Sequence, residues 1–410
     1  MERVLRDEDH PGQTTETRAS LVPPGIIVAA AVTFVMTAAE ELWKRFVPRY
    51  IEALGAPILA VGAYGTLRDL ADAMLQYPGG WVTDRFGRRA ALRAFIVLAS
   101  VGYAGYLWSP NWALTFAALP FVMCWASAAS PTVFAIIGDA LPSARRTIGF
   151  TVQSMTRRIP IAIAPALGGA MIARFGVRDG VRVGLGIAIA GAALAFIVAG
   201  AIDRQTTSHG VAADTHSGST SIRDVWSRMP PPLRRLLVSD VLVRTCESLV
   251  DVFVVLYATR VIGVTAPQFG VLVSIQMVAS MVVYVPAAAL ARRIGRKPLV
   301  VATFVAFALF PLAVIAAGSL AGLVVAFVVG GLRETGEPAR KATIVDLADA
   351  AYRGRTTGLY YLVRGLAITP AALVGGALWS VRPALPFVIA SAFGFLGALV
   401  FALSVPARDV

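Results

Sequence analysis

The chain has 410 residues, of which 57% are hydrophobic and only 15% are charged, and its mean hydropathy is +0.71. A water-soluble domain of this length needs far more polar surface to cover its core, so that class is excluded. The net charge of +13 suits a nucleic-acid partner only if it forms a patch. Here the basic residues gather on one side of a series of apolar stretches, so the charge is topological and no nucleic acid is expected.

Residues 1–22 are polar and read as a flexible tail. Apolar stretches follow near 26–54, 57–82, 90–109, 111–138, 147–174 and 181–202, each long enough to cross roughly 30 Å of hydrocarbon. Residues 203–234, with Thr206, Thr207, Ser208, His209 and the proline run 230–232, read as a linker. Six more stretches lie near 235–262, 266–291, 297–318, 320–345, 356–381 and 383–405, and 406–410 is a short tail. Backbone groups in lipid must be satisfied within their own segment, so the stretches are helices, and there is no period-two alternation for a barrel. The predicted fold is all-α: twelve transmembrane helices in two six-helix bundles, residues 23–202 and 235–405. The first stretch is too long for a signal peptide and counts as a span.

Arg85, Arg88, Arg89, Arg93, Arg145 and Arg146 fall on the side of the two termini, as do Arg292, Arg293, Arg296, Lys297, Arg353 and Arg355. The positive-inside rule then places both termini in the cytoplasm, and a bacterial inner membrane is the expected location. Cys124 and Cys246 lie within spans, and His10, His209 and His216 lie outside them. Neither a disulfide framework, a metal site nor a cofactor is expected.

The halves repeat at an offset of 207–208 residues. Glu40 falls on Glu247, Phe46 on Phe253, Tyr50 on Tyr257, Pro131 on Pro338, Asp139 on Asp346 and Arg157 on Arg364. Gly168-Gly169 falls on Gly375-Gly376. Parallel six-helix repeats with a site between them are a secondary-transporter plan.

Gly80-Trp81-Val82-Thr83-Asp84-Arg85-Phe86-Gly87-Arg88-Arg89 lies between the second and third spans, and its degenerate copy, 290–297, lies between the eighth and ninth. On this motif the chain resembles the major facilitator superfamily over essentially its whole length. Gly80 is expected to let helices pack closely and Gly87 to permit a tight turn. Asp84 is expected to meet a helix N-terminus, and Arg88 and Arg89 to pair with acids such as Asp139. The resemblance implies that this cluster holds an inner gate closed. In the fifth span, Ala164-Pro165-Ala166-Leu167-Gly168-Gly169 is similar to a motif of exporting antiporters, although the arginine such exporters carry in the fourth span is missing. Glu41-Leu42-Trp43-Lys44-Arg45-Phe46 is similar to a motif of proton-coupled peptide transporters, with Lys44 in place of a glutamate.

Ionisable residues at mid-membrane cost about 2.5–3.5 kcal/mol each on insertion scales, so each needs a reason. The resemblance implies that spans 1, 4, 7 and 10 line a central cavity and that spans 2, 5, 8 and 11 form the seam between halves. The first span carries Glu40, Glu41, Lys44 and Arg45; the seventh carries Asp240, Arg244, Glu247 and Asp251 on one stripe; the tenth carries Arg333, Glu334 and Glu337. These are the candidates for substrate binding and proton coupling, with Glu40 and Glu247 foremost. Arg68, Asp72, Arg157 and Arg364 are candidates for an inter-half gate, with Asp72 reaching Arg364. Trp43, Phe46, Tyr64, Trp125, Tyr257, Tyr360 and Tyr361 are candidate cavity aromatics, while Trp108, Trp112 and Trp379 suit the interface belt.

The expected function is secondary active transport of a small molecule or ion by alternating access, with the proton as coupling ion. Efflux by antiport is slightly favoured over import of a charged or zwitterionic solute. No phosphate-cradling loop or partnered nucleophile suggests an enzyme. A non-transporting receptor or assembly subunit on the same fold is the rival class. A monomer in the lipid bilayer is expected.

Overall fold

The computed structural model describes residues 24–130, 132–133, 136, 146–201, 222–348 and 353–405. The expected tail 1–22 therefore lies outside the described residues, as does Asp139. All elements described are helical. In chain order, α1 runs Pro24–Glu41 and continues past a 3-10 turn, Lys44–Phe46, as Val47–Ala53. α2 is Ile58–Phe86, α3 is Arg88–Leu107, and α4 is Trp112–Met123 extended by a π turn, Cys124–Ala128. The helix Arg146–Ala199 holds both α5 and α6, separated where Gly176 turns to φ 81°.

After a short linker helix, Ile222–Arg228, α7 is Pro231–Leu256, α8 is Ala266–Ile294 and α9 is Arg296–Ala316. α10 is Leu320–Gly331, a 3-10 turn Leu332–Glu334, then Glu337–Leu347. α11 is Arg353–Ile368 followed by Ala371–Val381, and α12 is Leu385–Ser404. The twelve spans are all present. α7 begins at Pro231, within the stretch read as linker, because a proline at the first helical turn has no amide to leave unsatisfied.

Local chemistry repeats with the sequence. Asn111 caps α4 by accepting from the amides of Ala113 and Leu114, and Ser319, one repeat later, caps α10 by accepting from Gly322. Gly87 (φ 83°) and Gly295 (φ 82°) make the sharp α2–α3 and α8–α9 turns, a backbone region that a β-carbon disfavours. The π turn of α4 and the 3-10 turn of α10 also fall at the same repeat position.

Among the described residues, seven helices are long and apolar enough to cross a membrane, and one of them, Thr156–Ala199, carries both α5 and α6. α2, α7 and α10 stand outside that group and carry ionisable residues at mid-helix, while α4 is described only in part. The lipid-facing surface is apolar, with Ile197, Val325 and Leu403 among its exposed side chains. The linker helix docks on the second bundle through Val225 and Met229, beside Leu233, Leu236 and Phe401.

The halves meet along two related seams at the end of the molecule where α1 gives way to α2 and α7 to α8. A β-carbon on Gly270 of α8 would stand 2.2 Å from the Pro165 carbonyl oxygen of α5, and one on Gly169 would stand 2.4 Å from that of Ala266. In the other seam, a β-carbon on Gly62 of α2 would stand 2.6 Å from the Ala372 carbonyl oxygen of α11. The small residues bring backbones into contact, the usual device where no water drives helices together. Thr66 Oγ1 accepts the Leu373 amide at 3.0 Å, Phe46 meets Phe269 edge-on at 5.8 Å, and Arg260 pairs with Glu52 across the same end.

Candidate functional site

Between the halves, at mid-depth, lies a cavity of about 420 Å³. Its first-half wall carries Glu40, Lys44, Arg45, Arg68, Asp69, Asp72 and Arg157; the second half adds Glu247, Asp251, Gln276 and Arg333. Trp43, Tyr64, Phe269, Phe310 and Phe327 supply its apolar surface. The wall thus offers five basic and five acidic side chains among aromatic rings.

On α1, the break after Glu41 turns Lys44 and Arg45 toward the cavity while each stays paired one turn back. Lys44 lies 3.6 Å from Glu40, and Arg45 donates to Glu41 at 3.0 Å. Glu40 is buried and accepts from the Tyr103 hydroxyl of α3 at 2.7 Å. Tyr103 sits on a helix outside the expected cavity set, and nothing in its spacing marks it.

The halves are linked directly at the cavity floor. Arg68 of α2 pairs with Asp251 of α7 at 2.8 Å and with its neighbour Asp69 at 3.1 Å, and Ser248 donates to Asp69 at 2.6 Å. The pair between Asp72 and Arg364 does not form. Asp72 accepts from Ser127 at 2.5 Å and from Gln76 at 3.2 Å, whereas Arg364 turns into its own half to Asp240 at 3.3 Å. Arg68 does not pair with Asp72 either, because Asp69 and Asp251 are nearer to hand. A further inter-half contact, from Arg158 to Ser280 at 3.0 Å and to Glu334 at 3.3 Å, joins α5 to α8 and α10.

The second half holds a dense ion network. Asp240, fully buried, takes Arg340 at 2.6 Å, Arg364 at 3.3 Å and the Tyr360 hydroxyl at 3.0 Å. Arg244 bridges to Glu337 at 3.1 Å and Glu247 at 2.8 Å, and Arg340 also holds Glu337 at 2.6 Å. Arg333 reaches Glu247 at 3.4 Å, a contact between α10 and α7, although Glu337 stands one turn away on its own helix. Arg244 and Arg333 both lie over the Phe307 ring. The stripe read on α7 is thus divided: Asp240 is structural core, while Glu247 and Asp251 face the cavity.

In the signature loop, Arg85 lies over the rings of Trp81 and Phe86. The partner proposed for Arg88 and Arg89, Asp139, is outside the described residues, and so is the side chain of Asp84. The repeat copy does pair: Arg296 donates to Asp346 at 2.6 Å. A β-carbon on Gly80 would meet open space, whereas one on Gly79 would stand 2.3 Å from the Ala128 carbonyl oxygen, so the close approach to α4 belongs to Gly79. Among the aromatics, Trp43 and Tyr64 line the cavity, Tyr360 is buried on Asp240, and Tyr257 packs on Phe387. Trp108 is 74% exposed, as an interface residue should be. Trp379 is not: it is buried and stacked on Phe253 at 5.4 Å, because α11 turns that face toward α7.

The fold has solved counterparts. The nucleoside transporter NupG superposes with a TM-score of 0.74 at 12% identity, covering 93% of this chain and 98% of that one. A POT family transporter in complex with 5-aminolevulinic acid gives 0.74 at 15% identity, covering 93% and 96%. In sequence, an uncharacterized MFS-type transporter of Methanocaldococcus jannaschii is 28% identical over 119 residues, which is 28% of this chain and 29% of that protein. The profile of the Major Facilitator Superfamily matches residues 25–237 and again 236–410. Two matches that tile the chain, on a fold whose described elements are all helical and whose halves share a cavity, make this integral membrane protein a member of the Major Facilitator Superfamily.

Proposed function

We propose that the chain is a proton-coupled secondary transporter of a small charged or zwitterionic organic solute, working by alternating access, with no enzymatic activity. The observation that carries this reading is the charge-balanced, aromatic-lined cavity shared by both halves. The positive-inside distribution supports cytoplasmic termini, and a bacterial inner membrane is the proposed location. The glycine seams and the Glu52–Arg260 pair then close the outer end, an inward-facing state. Efflux rests on the motif around Pro165 and the Gly168-Gly169 pair. Those glycines are engaged in packing on Leu42 and Ala266, which transport in either direction requires, so the cavity weighs more than the motif.

Glu40 and Glu247, related by the repeat, are the proposed proton carriers. Glu247 lies between Arg244 and Arg333, cations able to neutralise it in one state and release it in the other. A carboxylate that alternates between wet and dry surroundings loads a proton on one side and gives it up on the other. The test is solute flux in proteoliposomes under an imposed pH gradient, with Glu40→Gln and Glu247→Gln. Gradient-driven flux that at least one of these changes abolishes, leaving downhill exchange intact, is the expected result. Wild-type gradient-driven flux in both variants removes the proton role. Solute binding without any flux supports a receptor instead.

A further inference from the structure

The two halves differ most where their ion networks should correspond. At the offset of 207 residues that aligns Glu40 with Glu247 and Arg157 with Arg364, Asp240 falls on Thr33, Arg244 on Thr37, Glu337 on Ser130 and Arg340 on Val133. Thus the carboxylates and guanidinia that fill the second half are replaced in the first by hydroxyls and a short apolar side chain. The space they vacate is a side pocket of about 30 Å³, lined by Thr33, Thr37, Glu41, Trp125, Ser130 and Arg157. A single water needs about 10–15 Å³ by this measure, so the pocket has room for one small polar group. Glu40, Lys44, Ala126 and Arg157 line both it and the main cavity, so the two adjoin.

Arg157 is the one cation of the second-half network that the first half keeps. Its counterpart Arg364 lies 3.3 Å from Asp240, but Thr33 stands at the matching position and brings no charge. Both carboxylates of the lining already have a closer cation, Glu40 in Lys44 and Glu41 in Arg45 from outside the lining, so Arg157 is the further cation that the pocket holds. Thr33 itself is only 3% exposed, and its hydroxyl has no hydrogen-bond partner among the described residues. A buried hydroxyl without a partner is costly, and a group that satisfies it is favoured.

We propose that this side pocket receives a carboxylate of the transported solute, which takes the place that Asp240 occupies in the other half. The site rests on the reading of the cavity as the transport site and narrows its solute to organic acids or zwitterions small enough to span pocket and cavity. Arg157 supplies the charge, Thr33 and Ser130 the hydroxyl donors, and Trp125, on the π turn of α4, an apolar wall.

The test measures binding to the purified full-length protein with acids paired to their neutral amides: dialanine and its C-terminal amide, benzoate and benzamide, succinate and its diamide. At least one acid is expected to bind about tenfold tighter than its amide, about 1.4 kcal/mol. Arg157→Gln should erase that preference without weakening the amide, and Arg157→Lys should keep part of it. Thr33→Asp, which restores the second-half arrangement with an internal carboxylate, should abolish acid preference while keeping or raising thermal stability. If no acid is preferred by the wild type, or the preference survives both Arg157→Gln and Thr33→Asp, the pocket is not an acid subsite. Flux in proteoliposomes is scored separately: acid preference without flux leaves the subsite standing and sinks transport, and flux without acid preference does the reverse.

Discussion

Gly270→Ala isolates the role of the seam between α5 and α8. The added β-carbon would lie 2.2 Å from the carbonyl oxygen of Pro165, 2.7 Å from its carbonyl carbon and 2.8 Å from the α-carbon of Ala166. All three are backbone atoms of one helix, so no rotamer change relieves the clash and the helices must part. Overpacking of this kind costs about 1–3 kcal/mol. Under the alternating access proposed above, the cost falls on the conformation with this end closed and vanishes when the seam opens. The equilibrium should therefore shift toward the open outer end by about 5- to 150-fold. The assay is labelling of a cavity cysteine by an impermeant maleimide added outside. Ala126→Cys on the cavity wall serves as reporter, with the buried Cys124 and Cys246 replaced by alanine. Gly270→Ala should raise the labelling rate at least about fivefold, whereas Gly186→Ala, where a β-carbon meets open space, should leave it unchanged. An unchanged rate in Gly270→Ala would refute the argument, because it would mean that the seam is not what separates the two states.

Two further changes test the ion pairs. Asp251→Asn removes the partner of Arg68 across the halves; with the Asp251 side chain 37% exposed, the pair is worth at most about 1 kcal/mol. The same reporter should label up to about fivefold faster, and the exchange Arg68→Asp with Asp251→Arg should bring the rate back. Arg340→Met leaves the buried Asp240 without its nearest cation and should destabilise the protein by about 3 kcal/mol. That is the low end for a broken buried pair, because Arg364 and Tyr360 still reach the carboxylate. Denaturation in detergent measures it, and adding Asp240→Asn should recover part of the loss.

The spans, the two bundles and their repeat were legible in the residues because each rests on a local rule. A span is a length of apolar chain, a repeat is an offset, and the glycines at 87 and 295 mark turns by their own backbone freedom. The charges of α1, α7 and α10 were legible too, since an ionisable residue in lipid announces itself by its cost. Which charge meets which was not. On one helix, Arg68 and Asp72 stand a turn apart, yet Arg68 takes Asp251 of the other half because the packing of α2 on α7 brings that carboxylate to 2.8 Å. Asp240 reads like Glu247 along the stripe, but only the arrival of Arg340, Arg364 and Tyr360 from α10 and α11 makes it core. Gly79 rather than Gly80 meets α4, and Trp379 is buried rather than interfacial, for the same reason. Spacing along a helix states which residues share a face, and only the neighbouring helices determine what that face touches.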